Sequence, residues 1–290
     1  MRVRLLGAAV AVLAACSALA VIIANPATTA TGPCGTKTST SYTHVVVVVM
    51  ENKLYSNIIG SSSASYENSL AQQCGLATNY YGVTHPSLPN YIALAAGTTA
   101  GITDDKSPAY HRLTNQSIFS QVGSSSWRSY QESMPFNCDL SNSGSYAVKH
   151  NPAAYFTNIR TACGQNDVPL PSTPSFSRKY TFVTPNLCHD MHDCSVSTGD
   201  AWLKSFVPKI LASTEYRNGN LVLFLTFDES NSSSSNHVAT IVVGPTVPAG
   251  TRVSTSFNHY SLLRTAESIL GVPCLSNACN ASSMRSGFHL

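Results

Sequence analysis

Five consecutive valines, Val45 to Val49, and then Met50 form a short, β-branched apolar run. Nothing polar alternates within it, so it predicts a strand buried on both faces, as in a parallel sheet. The run stops abruptly at Glu51 and Asn52. Two more runs of this kind follow: KYTFV at Lys179 to Val183 and LVLFLTF at Leu221 to Phe227. Shorter strands are predicted at Trp127 to Gln131 and Val238 to Val243. Helical spacing of apolar residues appears at Ser65 to Gln73, at Ser117 to Val122, at Ser197 to Ser213 (Trp202, Phe206 and Ile210 on one face) and at Tyr260 to Leu270 before Gly271. Pro208 falls inside the third of these and predicts a kink or a new turn. Ser87 reads as the N-cap of a helix with Pro89 in its first turn and Gly97 at its end. Ser133 to Ser177, rich in Asn, Ser, Pro and Gly, reads as a long loop or insertion carrying His150 and Tyr155.

Strands alternate with helices, and no linker divides the chain. One α/β domain with a mostly parallel sheet is expected over residues 31–290. In such sheets ligands bind beyond the carboxyl ends of the strands. Polar residues gather at those ends here: Glu51-Asn52, then His189-Asp190-Met191-His192-Asp193 after the second run, then Asp228-Glu229 after the third. On the first strand alone, a site and a cap for the following turn are equally good readings.

Composition narrows the setting. Only 11% of the 290 residues are charged, and Ser, Thr and Asn supply the polarity. A formal charge of +3 without a Lys/Arg cluster gives no case for nucleic acid. Arg2 and Arg4 precede an apolar run from Leu5 to Ala24 and a small-residue zone at Ala27 to Ala30, which is the layout of a secretory signal over residues 1–30. Two alternatives stand beside cleavage near Ala30: a lipid on Cys16, and an uncleaved membrane span. A secreted protein with no stable membrane insertion after cleavage is the expectation. Without Cys16 eight cysteines remain, and the simplest local pairing joins Cys34–Cys74, Cys138–Cys163, Cys188–Cys194 and Cys274–Cys279.

The four strand-end residues Glu51, Asn52, Asp228 and Glu229 are hard oxygen donors of the kind that hold a divalent cation, with Mg, Ca, Mn and Zn all open. A cation beside Ser87 would lower its hydroxyl pKa and neutralise a phosphoryl group. Ser87 itself stands where a helix N-terminus offers free N–H groups to an anion. A plain N-cap is the commoner role for such a serine. His192 and His259 could bind phosphate, hold a second metal or protonate a leaving group, with His189, His237 and His85 as further histidines. Any one of them, taken alone, is more often a hydrogen-bonded structural residue. The chain has no G-x-S-x-G, no G-x-x-x-x-G-K, no G-x-G-x-x-G and no H-E-x-x-H.

Five segments in order, MENKLY, THPSLPNYIALAAG, PNLCHDMHD with GDAWL, LTFDES and HYSLLRTAESILG, resemble the secreted phosphoesterase family of bacterial acid phosphatases and phospholipases C. The likeness runs from about Thr43 to Val272 and is nearest to the short acid phosphatase branch, which includes a phosphatidylinositol 3-phosphate phosphatase. It implies an alkaline-phosphatase-like three-layer sandwich around a mostly parallel sheet. It implies a phosphate monoester as substrate, lipid phosphates included, and a metal-assisted phosphoserine intermediate. Ser87 is then the nucleophile, with His192 and His259 also catalytic. Asn90, Asp193 and His237 bind substrate, and Glu51, Asn52, Asp228 and Glu229 hold the metal. The family often carries two Asp where this chain has Asp228-Glu229. A phospholipase C-like phosphodiesterase is the neighbouring alternative. A disulfide-stapled surface binding protein is the non-enzymatic one, and it gives no reason for acids and histidines to recur after strands.

Overall fold

The computed structural model describes residues 32–231 and 235–290. The expected signal segment, with Cys16, lies outside the described residues. Ten strands are found among the described residues: β1 His44–Met50, β2 Gly75–Ala77, β3 Tyr80–Tyr81, β4 Trp127–Gln131, β5 Asp167–Pro169, β6 Tyr180–Thr184, β7 Leu221–Phe227, β8 Thr240–Val243, β9 Thr251–Val253 and β10 Phe257–Asn258. The helices are α1 Tyr55–Ile58, α2 Ser65–Gln73, α3 Ser87–Ala96, α4 Ile118–Gln121, α5 Arg160–Asn166, α6 Val196–Leu211, α7 Thr214–Arg217, α8 His259–Leu270 and α9 Arg285–Phe288.

Eight strands make one sheet in the order β5-β4-β6-β1-β7-β8-β2-β9. β1 lies at its centre, parallel to β6 on one side and to β7 on the other. β4 continues the parallel set beside β6, with β5 parallel beyond it. Val45 to Met50 are all buried, which requires cover on both faces of the sheet. Helices supply it: α3 packs with α8, and α2 packs with α6. This is the fold class that the resemblance implied. The valine run forms a strand because β-branched side chains suit a pleated surface and because no position in it needs water.

The departures from expectation are local. β8 runs antiparallel to both β7 and β2, so the sheet is mixed. The three-residue strands β2, β5 and β9 are too short to leave a period in the sequence. The segment read as a long loop is ordered: it holds α5, β5 and several single 3₁₀ turns. All four expected disulfides form, and Cys138–Cys163 staples this insertion to itself. Ser87 is the first residue of α3, and the cap position falls on extended Pro86, so the serine hydroxyl is free of capping duty. At the other end Gly97 closes α3 with φ 68°, and a Cβ there would run into the Leu275 carbonyl.

Candidate active site

The carboxyl ends of β1, β6 and β7 are adjacent, so the three polar clusters that follow them converge. Glu51 stands at the centre. Its Oε2 accepts the Ser87 hydroxyl at 3.1 Å, and its Oε1 accepts the Tyr91 hydroxyl at 2.5 Å. Ser87 and Tyr91 lie four apart on α3, hence on one helix face. His150 from the insertion stacks on the Tyr91 ring, and its Nε2 lies 3.2 Å from Glu51 Oε1. The other nitrogen of His150 lies 3.2 Å from Asp190 Oδ2.

The turn after β1 brings Asp228 alongside. Asn52 takes a left-handed conformation, φ 55°, which asparagine tolerates better than most residues. Its backbone N–H then donates to Asp228 Oδ1 at 3.1 Å. His259 fixes the same residue from behind: its Nε2 meets the Asp228 carbonyl oxygen at 2.5 Å and its Nδ1 meets the Tyr80 hydroxyl at 3.1 Å. Glu229 is held by His85 at 2.8 Å and by the Asn90 amide at 3.2 Å. Asn90 also accepts from the Val83 and Thr84 N–H groups and donates to the Thr84 and Pro86 carbonyls. Its amide is fully engaged in shaping the turn before Ser87.

The rim carries the remaining charge. The His192 backbone N–H donates to Asp190 Oδ1, and its ring directs Nδ1 at Asp193 Oδ1, 2.7 Å away. Its Nε2 lies 3.5 Å from the Lys149 ammonium. Lys149 pairs with Asp105 at 2.9 Å, and Asp105 in turn accepts the backbone N–H of Leu88, next to the serine.

Burial sets the electrostatics. It raises Glu51 well above the usual carboxylate range, and Asp228 and Asp190 add to the rise. Burial pushes Asp228 and Asp190 each up to about 7, and with the neighbouring Asp228 charge it pushes Glu229 up to about 9. Burial holds His150 well below the ordinary imidazole value and takes His259 down to about 4. For Lys149, burial pulls the ammonium down, but Asp105 and the carboxylate cluster outweigh it and leave it raised. Four carboxyl groups crowded out of water repel one another unless a cation joins them.

Asp228 Oδ2 is buried without a hydrogen-bond partner, and the 3.2 Å contacts of His150 Nε2 and Asp190 Oδ2 are not aligned as hydrogen bonds. Unpartnered buried donors and acceptors are costly, and a metal ion satisfies them. Glu51, His150 and His192 present ligand atoms within 4.8 Å of one another, a set that could hold a metal ion. The residues present therefore fit a divalent cation. A second grouping, Cys138, Cys163 and Asp167, offers no thiolate because both sulfurs are in the disulfide.

Of the residues expected from sequence, Ser87, Glu51, Asn52, Asp228, Glu229, Asn90, His192 and Asp193 come together here, and His259 lies directly behind them. His237 is engaged elsewhere: its ring stacks on Tyr55 at 4.4 Å and its Nε2 meets the Thr78 carbonyl. His150, Lys149, Asp105, Tyr91 and Asp190 were not expected as site residues. Asp190 stood in the five-residue cluster after β6, and that position was its signal. His150 and Lys149 sit in the insertion, far in sequence from everything they touch, and no local pattern marks them.

The sheet and its strand-end site define a class. The fold is that of the alkaline phosphatase superfamily: a superfamily protein from Vibrio parahaemolyticus matches with a TM-score of 0.55 at 12% identity, covering 86% of this chain and 72% of that one. The lipoteichoic acid synthase LtaP from Listeria monocytogenes matches with a TM-score of 0.56 at 12% identity over 83% of this chain and 76% of that one. Within that class the chain belongs to the phosphoesterase family, whose pattern it matches over residues 61–273, and it is an enzyme. A phosphatidylinositol-3-phosphatase from Mycobacterium tuberculosis is 34% identical over 250 residues, 83% of this chain and 81% of that protein. An acid phosphatase from Aspergillus fumigatus is 30% identical over 247 residues, 76% of this chain, and the chain spans only 54% of that longer protein.

Proposed function

We propose that this chain is a secreted phosphomonoesterase of the acid phosphatase type that works through a phosphoserine at Ser87. The observation that carries this reading is the Ser87 hydroxyl, buried at the start of α3 and bonded to Glu51 inside a cluster of carboxylates with unpartnered oxygens. Glu51, Asn52, Asp228 and Glu229 are the proposed metal-holding set, with His150 as the nitrogen donor beside Glu51. A divalent cation bound there would lower the serine pKa and offset phosphoryl charge.

The chain's own groups do the rest. Ser87 Oγ forms a bond to phosphorus as its proton passes to Glu51 Oε2. The ester oxygen leaves and takes a proton from His192, whose ring is oriented by Asp193. A water then attacks the phosphoserine, His192 takes that proton, and Glu51 returns one to Ser87. Lys149, anchored by Asp105, faces the same space and opposes the phosphate charge. His259 and Asn90 act by position, holding Asp228 and the turn before Ser87.

Phosphate monoesters are the substrate class, and a lipid phosphate is the finer reading, supported by the likeness to the mycobacterial lipid phosphatase. Export is supported by four disulfides. No described helix is long and apolar enough to cross a membrane. The test is phosphate release from p-nitrophenyl phosphate. Ser87→Ala should lower kcat at least about a thousandfold, and dialysis against a chelator should abolish turnover until a divalent ion is restored. Wild-type turnover by the Ser87→Ala protein would remove the serine from its role.

A further inference from the structure

The segment GDAWL, Gly199 to Leu203, and His189 take no part in the mechanism above. They meet at Glu132, which directly follows β4 at the same edge of the sheet as the site. The Glu132 backbone N–H donates to the Thr184 carbonyl at the end of β6, at 3.0 Å. Its carboxylate then faces three donors. Oε2 accepts the Asn186 backbone N–H at 3.0 Å, and Oε1 accepts the Trp202 indole N–H at 3.1 Å. His189 directs Nδ1 at both oxygens, 3.0 and 2.9 Å away. The Trp202 ring faces that of His189 at 6.3 Å and lies on the ring of buried Phe206 at 4.5 Å. Gly199 permits this close approach, since a Cβ there would meet the Met191 side chain and the His189 carbonyl. Asp200 ties the same helix to α2 by accepting the Tyr66 and Glu67 N–H groups at 3.0 and 2.9 Å.

All of these contacts grip one loop at its start. Asn186 Oδ1 accepts the N–H groups of Cys188 and His189 at 3.1 and 3.0 Å. The Asn186 carbonyl accepts the Asp190 N–H and the Leu187 carbonyl accepts the Asp193 N–H, each at 2.8 Å. Cys188–Cys194 closes the loop. His192 is bonded to Asp190 through its backbone and to Asp193 through its ring, so the turn at 186–189 sets where the imidazole points.

We propose that Glu132 is a positioning residue for the leaving-group step: through Asn186, His189 and Trp202 it fixes the loop that aims His192 at the ester oxygen. The proposal rests on the reading of His192 as the proton donor in that step. A carboxylate suits the place because both of its oxygens accept, whereas a glutamine of the same shape turns an NH2 group toward one of the donors. GDAWL is then the back wall of the clamp. Its glycine lets α6 reach the loop, and its tryptophan closes on Glu132 and His189.

A group that acts through His192 should matter in proportion to the need for a proton on the leaving oxygen. p-Nitrophenolate departs without one, and phenolate far less readily. The measure is kcat/KM, which reports formation of the phosphoserine. Glu132→Gln should lower it at least about tenfold on phenyl phosphate but within about threefold on p-nitrophenyl phosphate. His192→Ala should show the same bias more strongly. Trp202→Phe removes the indole donor, so adding it to Glu132→Gln should give a loss no greater than that of Glu132→Gln alone, not the product of the two single losses. Amide exchange read by mass spectrometry, with the cation present, should be faster across residues 186–194 in Glu132→Gln than in the wild type. Equal losses on the two esters, multiplicative losses in the pair or unchanged exchange across 186–194 would each overturn the proposal. If His192→Ala shows no leaving-group bias, the reading of His192 as the acid fails. In that event the exchange measurement alone decides whether Glu132 positions the loop.

Discussion

Glu51 is the residue on which the site turns, because four neighbours converge on its two oxygens. Ser87, Tyr91 and His150 approach from one helix and one insertion, and Asp228 crowds it from the next strand. A carboxylate so placed at the end of a fully buried strand is unfavourable without a partner charge, which is why the local rule of polar residues outside is broken there. A second buried acid, Asp167, has no role in the chemistry and gives a clean stability test. Burial pushes it up to about 7, although the Asn151 amide at 2.7 Å pulls the other way. The raised value means that the folded chain holds a proton the unfolded chain has released above about pH 4. Its contribution is therefore whole below about pH 4 and is lost as pH rises to about 7, at up to about 1.4 kcal/mol per pH unit. Asp167→Asn should flatten the fall of Tm across that window, as read by thermal melts in a pH series. An unchanged slope would show that Asp167 ionises in the fold without penalty.

Among the elements, α3 and the 133–177 insertion carry the site between them. Every residue of α3 is buried, so its position is fixed by packing on all sides and not by an amphipathic stripe. That rigidity aims Ser87 and Tyr91 together at Glu51. The insertion has no such helix, and Cys138–Cys163 ties it down instead. It delivers Lys149 and His150 to the site from a stretch of short 3₁₀ turns. Replacing both cysteines by serine should cost about 3 kcal/mol for a loop of this length. It should also lower kcat/KM on p-nitrophenyl phosphate more than the same pair of changes at Cys274 and Cys279, which staple the segment bonded to Gly97, at the other end of α3 from Ser87. Equal kinetic losses at the two disulfides would mean that the insertion keeps its place without its staple.

For the whole molecule, a cation held by the carboxylate cluster would couple binding to folding. An ion that binds only the folded chain at a hundredfold excess over its Kd adds about 2.7 kcal/mol. For a chain of this size that corresponds to a rise in Tm of roughly 5 to 10 °C over protein stripped with chelator. Calorimetric melts with and without each of Mg, Ca, Mn and Zn would measure it, and an ion that leaves Tm untouched is not the resident one. The chain spans just over half of the fungal acid phosphatases it matches.

The sequence by itself determined the strands and what ends them. An unbroken run of valines can only be buried on both faces, and acids, amides and histidines after such runs must gather at one edge of a parallel sheet. That was enough to single out Glu51, Asp228 and the His192 cluster, while Ser87 needed the family resemblance, and the simplest local pairing of the cysteines is the one that forms. Tertiary structure alone decided the rest. That β8 runs antiparallel to both of its neighbours leaves no mark in its apolar pattern, and the three-residue strands exist only because a sheet is already there to receive them. His150, Lys149 and Asp105 reach the site through contacts long-range in sequence, and such contacts leave no period to read. The roles of Asn90, His259 and His237 depend on which of their atoms the fold has already engaged. Hydrophobic periodicity records what a residue must avoid, and only packing specifies what it meets.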